Sequence, residues 1–114
     1  MIMNQETEVT PTAFQQKVYA ACSRIPEGKV STYGSLAKSV GCGSAQAVGQ
    51  ALRVNPFAPQ VPCHRVVKSD RSLGGFFGQS SGPEVKRKIR LLEKEGVKLD
   101  PSSRVLPAHM WNFT

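Results

Sequence analysis

At 114 residues and 12.4 kDa the chain has length for one ordinary domain and not two, which excludes activities that need separate binding and catalytic domains. Apolar residues make up 39% and are spread throughout, so a packed globule is expected. No apolar run approaches the roughly 18 residues of a membrane span, and the first residues lack a signal-peptide succession. The expectation is an intracellular protein without membrane association, cytoplasmic in a prokaryote or nuclear in a eukaryote. The net charge is +7, and seven cations (Lys17, Arg24, Lys29, Lys38, Arg53, Arg65, Lys68) stand between Phe14 and Lys68 against Glu27 alone. Such a concentration marks either a solvated basic surface or a face for a polyanion, nucleic acid above all.

Residues 1–11 are polar and aperiodic and are expected to be a mobile leader, with residues 12–114 forming the domain. Thr12 and Gln15 make a capping-box pattern, after which Phe14, Val18, Ala21, Cys22 and Ile25 recur at helical spacing until Pro26 and Gly28. Cys22 on that stripe reads as a small buried hydrophobe. Ser31 or Thr32 can cap a second helix with Tyr33, Leu36, Ala37 and Val40 inward, stopped by Gly41. After Gly41-Cys42-Gly43, Ser44 can cap a third helix carrying Ala45, Val48, Gly49 and Leu52 and ending near Asn55-Pro56.

Two short helices about a glycine turn outline a helix-turn-helix, a weak signal by itself. Ala45, Ala47, Gly49 and Ala51 leave the third helix nearly bare, which suits close approach to a backbone, or tight helix packing, better than major-groove readout. Pro56, Pro59 and Pro62 predict an extended connector, and Val61, Val66 and Val67 a short strand around Cys63-His64-Arg65. A glycine-rich loop holds Gly74, Phe76 and Phe77. Pro83 then opens a last helix with Val85, Ile89 and Leu92 inward, and Gly96 closes it. Val97 and Leu99 predict a short terminal strand, and Trp111 and Phe113 a cover for the core. The fold class expected is mostly α with a short β element, a winged-helix-like helix-turn-helix domain.

Cys63 carries the chemistry. Pro62 fixes its own φ and biases Val61 to extended geometry, so the direction of the thiol is set before any substrate arrives. A nearby cation lowers a thiol pKa and an imidazole can remove its proton, which suits Cys63 and His64 to covalent catalysis. Neighbours in an extended chain point apart, so contact between them needs a twist or a water. Cys22, Cys42, Cys63, His64 and His109 contain no C-x-x-C or H-x-x-x-H pair, so no metal and no cofactor are expected. The three cysteines are expected to be thiols.

Val30-Ser31-Thr32-Tyr33-Gly34, Ala47-Val48-Gly49, Asn55-Pro56 and Pro62-Cys63-His64-Arg65-Val66-Val67, in this order, closely resemble the C-terminal domain of O6-alkylguanine-DNA alkyltransferases over about residues 13–97. The resemblance implies a protein that binds double-stranded DNA in the minor groove, flips an O6-alkylguanine and transfers the alkyl group irreversibly to Cys63. It implies that His64 takes the thiol proton through a water, that Glu95 orients His64, that Tyr33 donates to the guanine ring, and that Asn55 ties the hairpin to the cysteine loop. Thr32, Tyr33, Ser44, Ala45, Gln46, Ala47, Gly49 and Arg53 become DNA-binding residues, and Val66, Gly74, Phe76 and Phe77 the substrate pocket. A monomer is expected. Arg65 reads as a structural ion-pair former.

Gln46 stands where the family carries an arginine finger, which gives up charge and length and predicts weaker flipping. The pocket loop is longer than usual, and the family's N-terminal domain is missing from this chain. The same compact form resembles the alkyltransferase-like proteins, damage sensors that bind without repair and recruit nucleotide-excision repair proteins. Those typically carry tryptophan at the position of Cys63, so the cysteine favours the enzyme.

Overall fold

The structure is a computed structural model that describes residues 11–75 and 82–113. The expected leader lies outside the described residues except for Pro11, and so do Phe76 and Phe77. Among the described residues the fold consists of four α-helices and a two-stranded sheet: α1 (Ala13–Cys22), β1 (Ser31–Thr32), α2 (Tyr33–Ser39), α3 (Ala45–Arg53), β2 (Val66–Val67) and α4 (Pro83–Lys94). It is mostly helical with a short β element.

Local chemistry sets each boundary. Thr12 accepts from the Gln15 amide while the Gln15 side chain accepts from the Thr12 amide, which closes the capping box of α1. Thr32 caps α2 through Ser35, and Ser44 caps α3 through Ala47. Pro83 opens α4, where its missing N–H costs nothing. Gly41 (φ 73°) and Gly96 (φ 87°) take left-handed conformations just past the ends of α2 and α4.

α1, α2 and α3 pack together around Val18, Cys22, Ile25, Leu36, Val48 and Leu52. A second cluster, Val30, Val67, Leu73, Leu92, Val97 and Val105, lies on the other side of the sheet. The parallel pairing of β1 with β2, Ser31 with Val66 and Thr32 with Val67, joins them. Successive strand side chains point to opposite faces, so Val66 feeds the first cluster and Val67 the second. The C-terminal segment closes the far edge, where Val30 donates to His109 and Trp111 donates to Val30. Trp111 and Phe113 cover the first cluster, as the sequence predicts.

Three expectations are corrected. The strand expected around Cys63-His64-Arg65 is a 3-10 turn over those residues, and the strand begins at Val66. The proline-rich connector is folded back, not extended: Val61 donates to the Phe57 carbonyl across turns. Leu99 forms only an isolated bridge with Val105, because the Asp100–Arg104 turn closes at once and leaves no room for a strand. The buried stripe of α3 is Val48, Ala51 and Leu52, while Ala45 is exposed and Gly49 half-buried.

Candidate functional site

Cys63 opens the 3-10 turn that follows Pro62, at the margin of the helical core and 4% exposed. Asn55, the residue after the C-cap of α3, is also buried and holds the connector closed. Its amide donates to the Val61 carbonyl at 3.0 Å and its carbonyl oxygen accepts from the Phe57 amide at 2.9 Å. The same side chain favours the ionised form of the Cys63 thiol. Burial raises the thiol pKa above its usual 9.0, against the lowering pull of Asn55 and the Lys88 charge. At neutral pH Cys63 is a thiol that needs a base.

His64 and Arg65, from the same turn, converge on Glu95 at the C-cap of α4. His64 Nε2 lies 2.8 Å from Glu95 Oε2, and Arg65 grips both carboxylate oxygens, Nε to Oε1 at 2.9 Å and Nη2 to Oε2 at 2.8 Å. Arg65 also donates to the Ile25 carbonyl, and the Gly28 amide donates to Glu95. Arg65 is the structural ion-pair former that the sequence predicts. Burial works against ionisation of Glu95, but Arg65 and His64 outweigh it and hold the carboxyl below its usual range. Burial likewise lowers the His64 pKa, with Glu95 opposing. A carboxylate accepting at Nε2 puts the neutral ring's proton there and leaves Nδ1 as the basic nitrogen. No hydrogen bond joins the imidazole to the thiol.

Lys88 is the residue that sequence reasoning misses. It lies on the inner face of α4, wholly buried, and its ammonium donates to the carbonyls of Val66 (2.8 Å), Leu73 (2.7 Å) and Gly75 (3.1 Å). Burial pulls its pKa down to about 8, with the cysteines resisting. The only hint in the sequence is a lysine between Val85, Ile89 and Leu92, where an apolar residue completes the stripe.

Tyr33 opens α2 and faces a trough of about 760 Å³ lined by Ala45, Gln46, Gly49 and Gln50 of α3 on one side and Lys68, Ser72 and Gly74 on the other. Burial raises the Tyr33 pKa to about 12, so it remains a donor across the physiological range. Gly74 (φ 70°) is required here: a Cβ would meet Lys68 Cγ at 3.3 Å and the Tyr33 hydroxyl at 3.4 Å. Gly49 is the opposite case, because a Cβ there would meet nothing within 4 Å. The fold gives no packing reason for a glycine in mid-helix. The hydroxyls of Thr32 and Ser44 serve as caps, Ala47 is half-buried, Arg53 stands exposed in the last turn of α3, and Val66 is a core residue outside the trough.

The sequence profile described as 6-O-methylguanine DNA methyltransferase, DNA binding domain, matches residues 13–97. The chain belongs to this family. Among its relatives, the methylated-DNA–protein-cysteine methyltransferase of Methanothermobacter thermautotrophicus is 44% identical over 89 residues, 78% of this chain and 47% of that protein. The Haemophilus influenzae protein of the same name is 45% identical over 73% of this chain and 45% of its own length. The chain thus spans about half the length of the curated relatives it matches. The crystal structure of Mycobacterium tuberculosis OGT in complex with DNA superposes with a TM-score of 0.70 at 41% identity, covering 78% of this chain and 52% of that one. S. pombe Atl1 in complex with damaged DNA containing O6-carboxymethylguanine superposes with a TM-score of 0.73 at 34% identity, over 98% and 99% of the two chains. Within this alkyltransferase family, residues 98–114 of the chain lie beyond the matched profile.

Proposed function

We propose that residues 12–114 act as a monomeric DNA-repair domain that binds duplex DNA in the minor groove, extrudes O6-alkylguanine and transfers the alkyl group to Cys63. The observation that carries this reading is the buried Cys63 in one 3-10 turn with His64, whose Nε2 meets Glu95 at the C-cap of α4 at 2.8 Å, while Asn55 at the end of α3 clamps the connector that leads into that turn. In the reaction the sulfur attacks the alkyl carbon, the bond from that carbon to guanine O6 breaks, and its electron pair stays on the guanine. The thiol proton passes through a water to His64, whose charge Glu95 balances. Tyr33 donates a hydrogen bond to the ring as negative charge develops, and the guanine is then reprotonated. The thioether has no hydrolysable bond, so each molecule acts once.

The small residues Ala45, Ala47 and Gly49 on α3 support minor-groove docking, since bulk at those positions would hold the backbones apart. Lys17, Lys29, Lys38, Arg53 and Lys68 are candidates for phosphate contacts. The deciding experiment is the intact mass of the protein after incubation with an oligonucleotide containing O6-methylguanine. A gain of one methylene on Cys63, absent in Cys63→Ala, supports transfer.

A second reading is favoured by the likeness to S. pombe Atl1 over nearly the whole of both chains and by the burial of the sulfur. In it the protein is a sensor that binds O6-alkylguanine DNA without efficient transfer and recruits excision-repair proteins. Tight binding with unchanged mass supports that reading and overturns the first.

A further inference from the structure

The outer face of α3 carries two amides that the fold leaves unused. Gln46 and Gln50 stand one helical turn apart, both exposed and both lining the trough, and neither has a hydrogen-bond partner among the described residues. The glutamines of α1 behave differently: Gln15 closes the capping box and Gln16 donates to the Pro11 carbonyl. Between Gln46 and Gln50 lies Gly49, where no neighbour fills the space of a side chain. A partner can therefore come down onto the helix backbone and meet both amides.

We infer that Gln50 reads the minor-groove edge of a base pair flanking the lesion and so gives the protein a sequence-context preference. The inference rests on the proposed function, with Gln46, which lines the trough that Tyr33 faces, taken to stand at the lesion. Four residues of helix advance about 6 Å, and base pairs are stacked about 3.4 Å apart, so Gln50 falls within two steps of the pair that Gln46 meets. In the minor groove an A·T pair shows only acceptors, while a G·C pair adds the guanine amino donor. A primary amide can answer either, by donating through its nitrogen or accepting at its oxygen. A longer cation at this position would seek the phosphates, and an alanine would read nothing.

The test is duplex affinity for the Cys63→Ala protein with and without Gln50→Ala, on duplexes that differ only in the pairs flanking one O6-methylguanine. The flanking pairs are G·C, A·T and inosine·C, the last removing the amino group alone. The expected result is a change of about 3- to 10-fold among flanks, the size of one hydrogen bond, abolished by Gln50→Ala, with selectivity for the lesion retained. Context dependence that persists in Gln50→Ala, an equal loss on every duplex, or no context dependence at the outset each overturn the inference. Equal affinity for duplexes with and without the lesion instead refutes the proposed function. The flanking preference is then scored on undamaged duplexes with the same outcomes. Gln50 is exposed on a helix, so Gln50→Ala leaves the thermal midpoint unchanged.

Discussion

The Lys88 ammonium lies 5.9 Å from the centre of the Tyr33 ring, wholly inside the protein. From there it ties β2 to the two loop carbonyls that border the trough, and its charge favours ionisation of Cys63. Lys88→Met keeps most of the stem and removes the donors, stranding three carbonyls. A loss of about 3 kcal/mol is expected, since each orphaned buried acceptor costs about 1–3 kcal/mol and the relief of a buried charge offsets part. Urea unfolding measures it. Thiol titration of the same variant is expected to show a Cys63 pKa higher still.

What the sequence reveals differs by kind of residue. Caps and periodic stripes are local, so the boundaries of α1, α2 and α4 follow from Thr12, Thr32 and Pro83. The turn at Cys63 is not local. Val66 and Val67 carry β propensity into a region where Asn55, six residues upstream of Val61, has already folded the connector back. Lys88 leaves only a faint trace in the sequence because a lone lysine in a charged helix is ordinarily solvated, and carbonyls from other segments make its burial tolerable. The resemblance found Glu95 where charge patterning alone would have placed it at a wet helix end.

Gly49→Ala separates folding from function. A glycine in mid-helix costs about 0.5–1 kcal/mol relative to alanine, and a Cβ here meets nothing. The variant is expected to be more stable by about that amount in denaturant unfolding. The added methyl stands on the face proposed to lie in the groove, so affinity for lesion-bearing duplex is expected to fall. A variant both stabilised and fully competent would place the DNA on another surface.

Glu95→Gln tests the clamp on His64. It leaves the Arg65 guanidinium, with 15% of its side chain exposed, facing a neutral amide in place of its carboxylate partner. The expected cost is about 3 kcal/mol in unfolding free energy, as for other buried pairs broken on one side. Transfer from O6-methylguanine is expected to slow about 10- to 100-fold, as when a partner that orients a histidine is removed, with duplex affinity little changed. Affinity falling in step with rate would mean that Glu95 supports the DNA face and not the imidazole.

The two titrating groups at the centre of the site are shifted in opposite directions, which fixes the pH profile. Burial lowers the His64 pKa from 6.5 and raises that of Cys63 from 9.0. His64 is therefore neutral, and able to take a proton, from about pH 6.5 upward, where Cys63 is still a thiol. With His64 as base, transfer is expected to be level between about pH 7 and 8.5 and to fall only at more acidic pH, as the pH drops through the lowered His64 pKa. Stability follows the same side of the scale. The unfolded chain protonates this histidine first, so its contribution is complete above the unfolded pKa and is lost as the pH drops through the folded one. The lowered Glu95 pKa adds to that loss at more acidic pH. Single-turnover rates and urea midpoints across this range check both. A rate that climbs about tenfold per pH unit toward 9 would show that hydroxide, and not His64, removes the thiol proton.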